Sequence, residues 1–167
     1  MKQRLRIFAF IFLLIGGCGP SDFHYDPVDW NSQPPPIPEQ IAPAPQIHEV
    51  PATIQSLFKL HNEQRELKGR SGFELDNYLC QYAQNHADWM ASHNNLKHSD
   101  INALMGKYSA AGENIAWNQR TEKEVLESWM NSPGHRANIL NRNFTKVGFG
   151  VAHNSNDEIY WCTCFGN

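Results

Sequence analysis

The chain has 167 residues, of which 41% are hydrophobic and 19% charged, enough for one globular domain with a core and too few for two. Its formal net charge is −3, and removal of an N-terminal leader that carries Lys2, Arg4 and Arg6 but no acidic side chain would leave 11 basic against 17 acidic residues, or −6. With no cluster of Lys and Arg in the folded part, that sign argues against nucleic acid as a partner, because binding to phosphate needs concentrated positive charge.

The first segment, MKQRLRIFAFIFLLIGGC, has a basic start, an apolar run from Ile7 to Ile15 and the small pair Gly16-Gly17. This is the layout of a secretory signal. Nine apolar residues at about 1.5 Å each cover roughly half of a ~30 Å hydrocarbon core, so the run is too short to span a membrane. The ending Leu14-Ile15-Gly16-Gly17-Cys18 resembles the bacterial lipobox. That resemblance implies cleavage after residue 17, acylation of Cys18, and an anchor that no single acyl chain would match, since each buried CH₂ contributes about 0.8 kcal/mol. Gly19 follows the cysteine where some bacteria place a retention Asp, so an outer-membrane or outward-facing location in the cell envelope is expected.

Residues 18–51 read as a tether. Nine of the ten prolines fall between Gly19 and Pro51, and proline, lacking an amide donor and with φ fixed, builds neither helix nor central strand. In polyproline II form this stretch would reach on the order of 100 Å at most, at about 3.1 Å per residue. Spacing of the domain from lipid is the expected role; a proline-motif ligand is the alternative.

Residues 52–167 are expected to form one domain, and a monomeric one. Thr53 is placed to cap a first helix with Ile54, Leu57, Phe58 and His61 at helical spacing. Asp76 is placed to cap a second, with Leu75, Leu79, Tyr82, Ala83, His86, Ala87 and Met90 on one face. Thr121 and Glu124 form a capping box ahead of Val125, Leu126 and Trp129. Ser132-Pro133 opens a short helix running to about Leu140. From Lys146 to His153 the period changes to two, with Val147, Phe149 and Val151 alternating against small or polar neighbours, and Glu158 to Phe165 follows a turn as a second strand of an antiparallel hairpin. Helices first and strands last imply an α+β domain. No P-loop, dinucleotide fingerprint, H-E-x-x-H or G-x-S-x-G motif occurs.

Five motifs then occur in order: His61-Asn62-Glu63-Gln64-Arg65, Leu96-Lys97-His98-Ser99, Ala111-Gly112-Glu113-Asn114-Ile115-Ala116, Ser132-Pro133-Gly134-His135-Arg136-Ala137-Asn138-Ile139-Leu140, and Phe144-Thr145-Lys146-Val147-Gly148-Phe149-Gly150-Val151, followed by a Tyr160-Trp161 strand. The set resembles the CAP superfamily, or SCP domain, in its short bacterial form. The resemblance implies a three-layer α-β-α sandwich with a central antiparallel sheet, further strands near Tyr108 to Trp117, and an open cleft. In many members two His and two Glu line that cleft and can bind a divalent metal. Here His98 and Glu113 match one of each, while Ser132 and Tyr160 stand where the other Glu and His would fall. His135 could reach the same cleft from another direction.

His98, Glu113 and His135 are therefore the candidate site, for Zn²⁺ or another divalent cation, with Glu113 as ligand or as base on bound water. The structural alternative has Glu113 binding backbone amides with His98 orienting it. His86 and His93 lie two turns apart, about 10 Å, too far to share an ion, and read as packing or surface residues. With Cys18 acylated, Cys80, Cys162 and Cys164 remain as disulfide candidates of an exported protein. Cys162 and Cys164 share one strand face, where direct bonding would be strained, whereas Cys80 could staple helix to sheet; a three-cysteine metal site is a further alternative. The expected function is a lipid-anchored binding module for a lipid, glycan, peptide or protein ligand. A metal-dependent hydrolase and a passive envelope lipoprotein are the alternatives.

Overall fold

The computed structural model describes residues 51–167; the leader, Cys18 and the tether before Pro51 lie outside the described residues. In chain order the elements are α1 (Ala52–Leu67), β1 (Glu74–Leu75), α2 (Asn77–His93), a 3₁₀ turn (Ile101–Leu104), β2 (Ala111–Trp117), α3 (Glu122–Asn131), α4 (Pro133–Ile139), β3 (Lys146–His153) and β4 (Ile159–Gly166). Among the described residues, no helix is long and apolar enough to cross a membrane.

The sheet runs β1-β3-β4-β2. The β3–β4 hairpin and the β4–β2 pair are antiparallel, as expected. At the edge, the two-residue β1 pairs with β3 in parallel, Glu74 opposite Lys146, so the sheet is mixed rather than wholly antiparallel. The expected strand near Tyr108 to Trp117 begins at Ala111, and β4 runs from Ile159 to Gly166, one residue later at each end than its spacing implied.

The three layers follow from the two-residue alternation of the strands. One face carries Val147, Phe149, Trp161 and Phe165, packed with Leu57, Phe73, Val125, Trp129 and Ile139 of the α1/α3/α4 layer. The other carries Ala152, Tyr160, Cys162 and Cys164 beneath Leu79, Tyr82, Ala83, Ala87 and Met90 of α2. The small neighbours in β3 therefore face not solvent but a helix. A Cβ on Gly148 would overlap the backbone of Leu79 and Cys80, and one on Gly150 that of Ala83 and Gln84. Only glycine lets α2 come that close.

Helix boundaries obey local chemistry. Asp76 Oδ1 accepts from the amides of Tyr78 and Leu79, and Thr121 Oγ1 from that of Glu124. Ser132 precedes Pro133 at the first position of α4, though its hydroxyl makes no cap bond. Thr53 is not the cap of α1. The helix opens two residues earlier than that cap implies, at Ala52, after Pro51, whose carbonyl takes the Gln55 amide; proline's fixed φ is compatible with that entry, and Thr53 falls inside the first turn.

Two members of the first motif are buried polar groups. The Arg65 guanidinium donates to four carbonyls, those of Ser71, Ile139, Asn141 and Phe144, and its carbon lies 3.8 Å from the Phe73 ring centroid. It ties α1 to the turn before β1, to the end of α4 and to the segment leading into β3. His61 is wholly buried, its Nδ1 donating to Leu57 O at 2.8 Å and its ring edge-on to Phe149 and Trp129. Burial pushes its pKa down to about 4, against a lesser opposing effect of the Leu57 bond.

Candidate functional site

Each residue of the Gly112-Glu113-Asn114 run does one job. Gly112 leaves room for the Phe144 ring, which a Cβ would approach at 2.8 Å. Asn114 turns to the α4 side, donating to His135 O at 3.0 Å and accepting from Asn138 Nδ2 at 2.9 Å. Asn138 also donates to the Glu113 carbonyl at 3.1 Å. These bonds dock α4 on β2 and fix where His135 stands. Glu113 points the other way, to the α2 side, opposite Cys164 in the strand register.

The Glu113 carboxylate is buried, with 3% of its side chain exposed, and it is filled with donors. Oε1 accepts from His98 Nδ1 at 2.7 Å and from the Ser99 amide at 3.0 Å. Oε2 accepts from Ser99 Oγ at 2.6 Å and from the Cys162 thiol at 3.7 Å. Burial alone would raise the Glu113 pKa, but the His98 bond, the nearby His86 charge and the two Ser99 bonds outweigh it, and the carboxyl is held below its ordinary value. The same bond raises His98, against partial burial. Because a carboxylate only accepts, His98 carries its proton on Nδ1 and Nε2 is the free nitrogen. The His98 side chain is 61% exposed.

His135 is half-buried on α4. Burial lowers its pKa, and repulsion by a charge on His98 lowers it further, so the two imidazoles sense each other. The three predicted residues nonetheless do not form a set of three ligands. Among the described residues, the one group of three ligand atoms lying within 4.8 Å of one another is Glu113, Cys162 and Cys164. His98 spends its Nδ1 on Glu113, and His98, Glu113 and His135 hold no set of ligand atoms within that distance of one another. The family's divalent ion, taken as held by His98, Glu113 and His135 together, does not fit this arrangement. Tyr160, at the position of the other cleft His, pairs with Trp117, four residues along β2 from Glu113. Ser132 lies between α3 and α4.

Sequence reasoning missed Ser99, Cys162 and Tyr82. Tyr82 OH donates to Asp100 O at 2.8 Å and lies 3.2 Å from Ser99 Oγ, bracing the turn that carries both donors to Glu113. Ser99 follows His98 in the motif, which was the available signal. Contact of Cys162 with Glu113 depends on a strand register between residues 49 apart. His86 and His93 behave as read. They flank the Trp89 ring at 5.8 and 4.5 Å, and His86 Nε2 donates to Lys97 O. Cys80, Cys162 and Cys164 are free thiols, so none of the three disulfide candidates is paired. Cys162 and Cys164 lie 3.8 Å apart, sulfur to sulfur. Burial pushes Cys80 up to about 11 and Cys162 well above its ordinary value; for Cys164 the bond with Cys162 pulls down, but burial and the Glu113 charge prevail.

The profile of the cysteine-rich secretory protein family matches residues 58–165. The chain belongs to this family. Within it, the uncharacterized protein YkwD of Bacillus subtilis is 37% identical over 110 residues, 60% of this chain and 43% of its own length. Human Golgi-associated plant pathogenesis-related protein 1 is 34% identical over 101 residues, 58% of this chain and 59% of its own. The chain thus spans less than two thirds of either curated relative. Among solved structures, an outer surface protein of Borrelia burgdorferi superposes with a TM-score of 0.63 at 18% identity, covering 68% of this chain and 90% of that one. An extracellular SCP-domain protein of Bacillus anthracis gives 0.59 at 27%, covering 69% and 40%. The three-layer α-β-α architecture of cysteine-rich secretory proteins is the one built here.

Proposed function

We propose that the protein is an extracytoplasmic binding module, anchored in the cell envelope through acylated Cys18 and presenting the outward edge of His98, with His135 beside it, to a lipid, glycan, peptide or protein ligand. The observation that carries this reading is the saturation of Glu113 by the four donors of His98, Ser99 and Cys162. A carboxylate so occupied cannot serve as base on a bound water; it holds a rim histidine in one tautomer and one orientation. Similarity to an outer surface protein and to an extracellular protein supports the location.

The test uses the mature lipoprotein in detergent. Wild type and His98→Ala are presented to arrays of defined glycans, peptides and lipid vesicles, and to a panel of ester and amide substrates. The expected outcome is a ligand class retained by wild type and lost by His98→Ala at unchanged melting temperature, without turnover. Substrate turnover that disappears in His98→Ala would replace this reading by the hydrolase. The anchor is tested by mass spectrometry of the mature N-terminus and by release of a Cys18→Ala variant from the membrane fraction.

A further inference from the structure

Behind the exposed imidazole lies a second constellation, buried at the interface of the sheet and α2. Cys162 and Cys164 stand on the same face of β4, and the Glu113 carboxylate closes the group from the neighbouring strand β2. All three side chains are buried.

Two of the three spacings match a coordination polyhedron, and the third lies within 4.8 Å. Metal–thiolate bonds of about 2.3 Å in a tetrahedron place two sulfurs about 3.8 Å apart, and a carboxylate oxygen at about 2.0 Å from the metal lies about 3.5 Å from each sulfur. Here the two sulfurs are 3.8 Å apart, and Cys162 Sγ is 3.7 Å from Glu113 Oε2. A disulfide fits less well. Adjacent positions on one strand face are about 6.6 Å apart along the chain, near the upper end of the roughly 4.4–6.8 Å that a disulfide spans.

We infer that Cys162, Cys164 and Glu113 form a buried site for a single Zn²⁺ ion, distinct from the outward edge of His98. Two sulfurs and one carboxylate oxygen suit a borderline cation; a carboxylate disfavours Cu(I), and thiolates disfavour Mg²⁺ and Ca²⁺. On binding, each thiol gives up its proton to solvent. One Zn²⁺, two neutral thiols and one carboxylate become a complex of net charge −1 and two released protons, so uptake strengthens as pH rises. The ion replaces the protons now lying between Cys162 and its two neighbours. Oε1 keeps its bonds from His98 and the Ser99 amide, which become the outer shell that orients the ligand. Three protein ligands leave the fourth position to water. Residues 95–100, a stretch outside helix and strand, cover Glu113 through His98 and Ser99, and entry is expected on that side.

The test begins with the mature lipoprotein isolated under conditions that preserve thiols. Addition of Co²⁺ should give one equivalent of tetrahedral ion with a sulfur-to-cobalt charge-transfer band, and Zn²⁺ should displace it with release of two protons per ion. X-ray absorption of the zinc form of wild type should show two sulfurs at about 2.3 Å. Cys162→Ser and Cys164→Ser should each lose zinc affinity by more than the roughly 10–100-fold that removal of an outer-shell partner costs. Cys80→Ser should keep band and affinity. Lack of stoichiometric uptake, coordination by nitrogen and oxygen alone, unchanged zinc affinity in Cys162→Ser and Cys164→Ser, or a Cys162–Cys164 disulfide in the isolated protein would each overturn the site. The wild-type spectra decide the matter even if a variant fails to fold. Failure here would leave the His98 reading intact, because that reading needs no ion.

Discussion

The two faces of the sheet meet their helices differently. On the α1/α3/α4 side the space is filled by rings, those of Phe73, Trp129, Phe149, Trp161 and Phe165, and closed by two buried polar side chains bonded to backbone carbonyls, the Arg65 guanidinium and a neutral His61. On the α2 side the helix lies against Gly148, Gly150, Ala152 and two cysteines, with almost no side-chain padding between backbone and backbone. The thick layer can tolerate ring-for-ring replacement, because volume can be conserved there. At Gly148 and Gly150 the thin layer has no volume to conserve. Every candidate for chemistry except His135 belongs to the thin side, and the proximity of helix to strand is what brings His86, Tyr82, Cys162, Cys164 and Glu113 within electrostatic reach of one another.

The largest effect expected on the thick side comes from Arg65→Met. The change keeps much of the stem's volume but leaves the carbonyls of Ser71, Ile139, Asn141 and Phe144 without the donors they now share. A buried acceptor left unpaired costs about 1–3 kcal/mol, and with four affected the loss should be a large share of the roughly 5–15 kcal/mol of an ordinary domain, so the urea midpoint should fall steeply. A midpoint within experimental error of wild type would mean that water satisfies those carbonyls, and that this layer is wetter than its rings suggest.

Much of this contrast could be read from the chain. The face of α2 and the span Lys146–His153 follow from periods of 3.6 and 2, and Asp76 and Thr121 announce their caps by residue type. These are local signals. The thinness of the α2 interface was half legible: Gly148 and Gly150 stood in the alternation as small residues, but nothing in a strand pattern tells whether a glycine faces water or a helix backbone. The donors of Glu113 were less legible still. Ser99 lies beside a residue singled out, yet its role depends on Tyr82 holding the turn, and Cys162 meets Glu113 only through the β2–β4 register. The mixed character of the sheet rests on β1, two residues long, too short for any period to appear.

The next effect is one of pH. His61 titrates at about 4 when folded and near 6.5 when unfolded, the burial of a neutral ring being the cause. Between those values the unfolded chain binds the extra proton, so stability is complete above about 6.5 and falls as pH drops toward 4, by about 3 kcal/mol in all at 1.36 kcal/mol per pH unit. His61→Phe should flatten that slope in denaturant titrations. An unchanged slope in His61→Phe would place the acid sensitivity elsewhere.

On the thin side the sharpest change is Gly150→Ala. The added methyl meets the Ala83 carbonyl and the Gln84 amide rather than a side chain. No neighbouring side chain can swing away to admit it, and trimming Ala83 to glycine would not help, because the obstruction is backbone. Helix α2 must rise as a body or the strand must bend, at a cost of about 1–3 kcal/mol typical of overpacking. The distinguishing readout is not stability alone. A lifted α2 should uncover Cys80, Cys162 and Cys164 together, so their labelling by a thiol reagent under native conditions should quicken in parallel. Arg65→Met, acting on the opposite layer, should quicken labelling only as far as global unfolding allows. If Gly150→Ala lost stability without faster labelling, the helix would have held its place and the strand yielded, and the close approach of α2 would not be what keeps these thiols and the Glu113 carboxylate out of water.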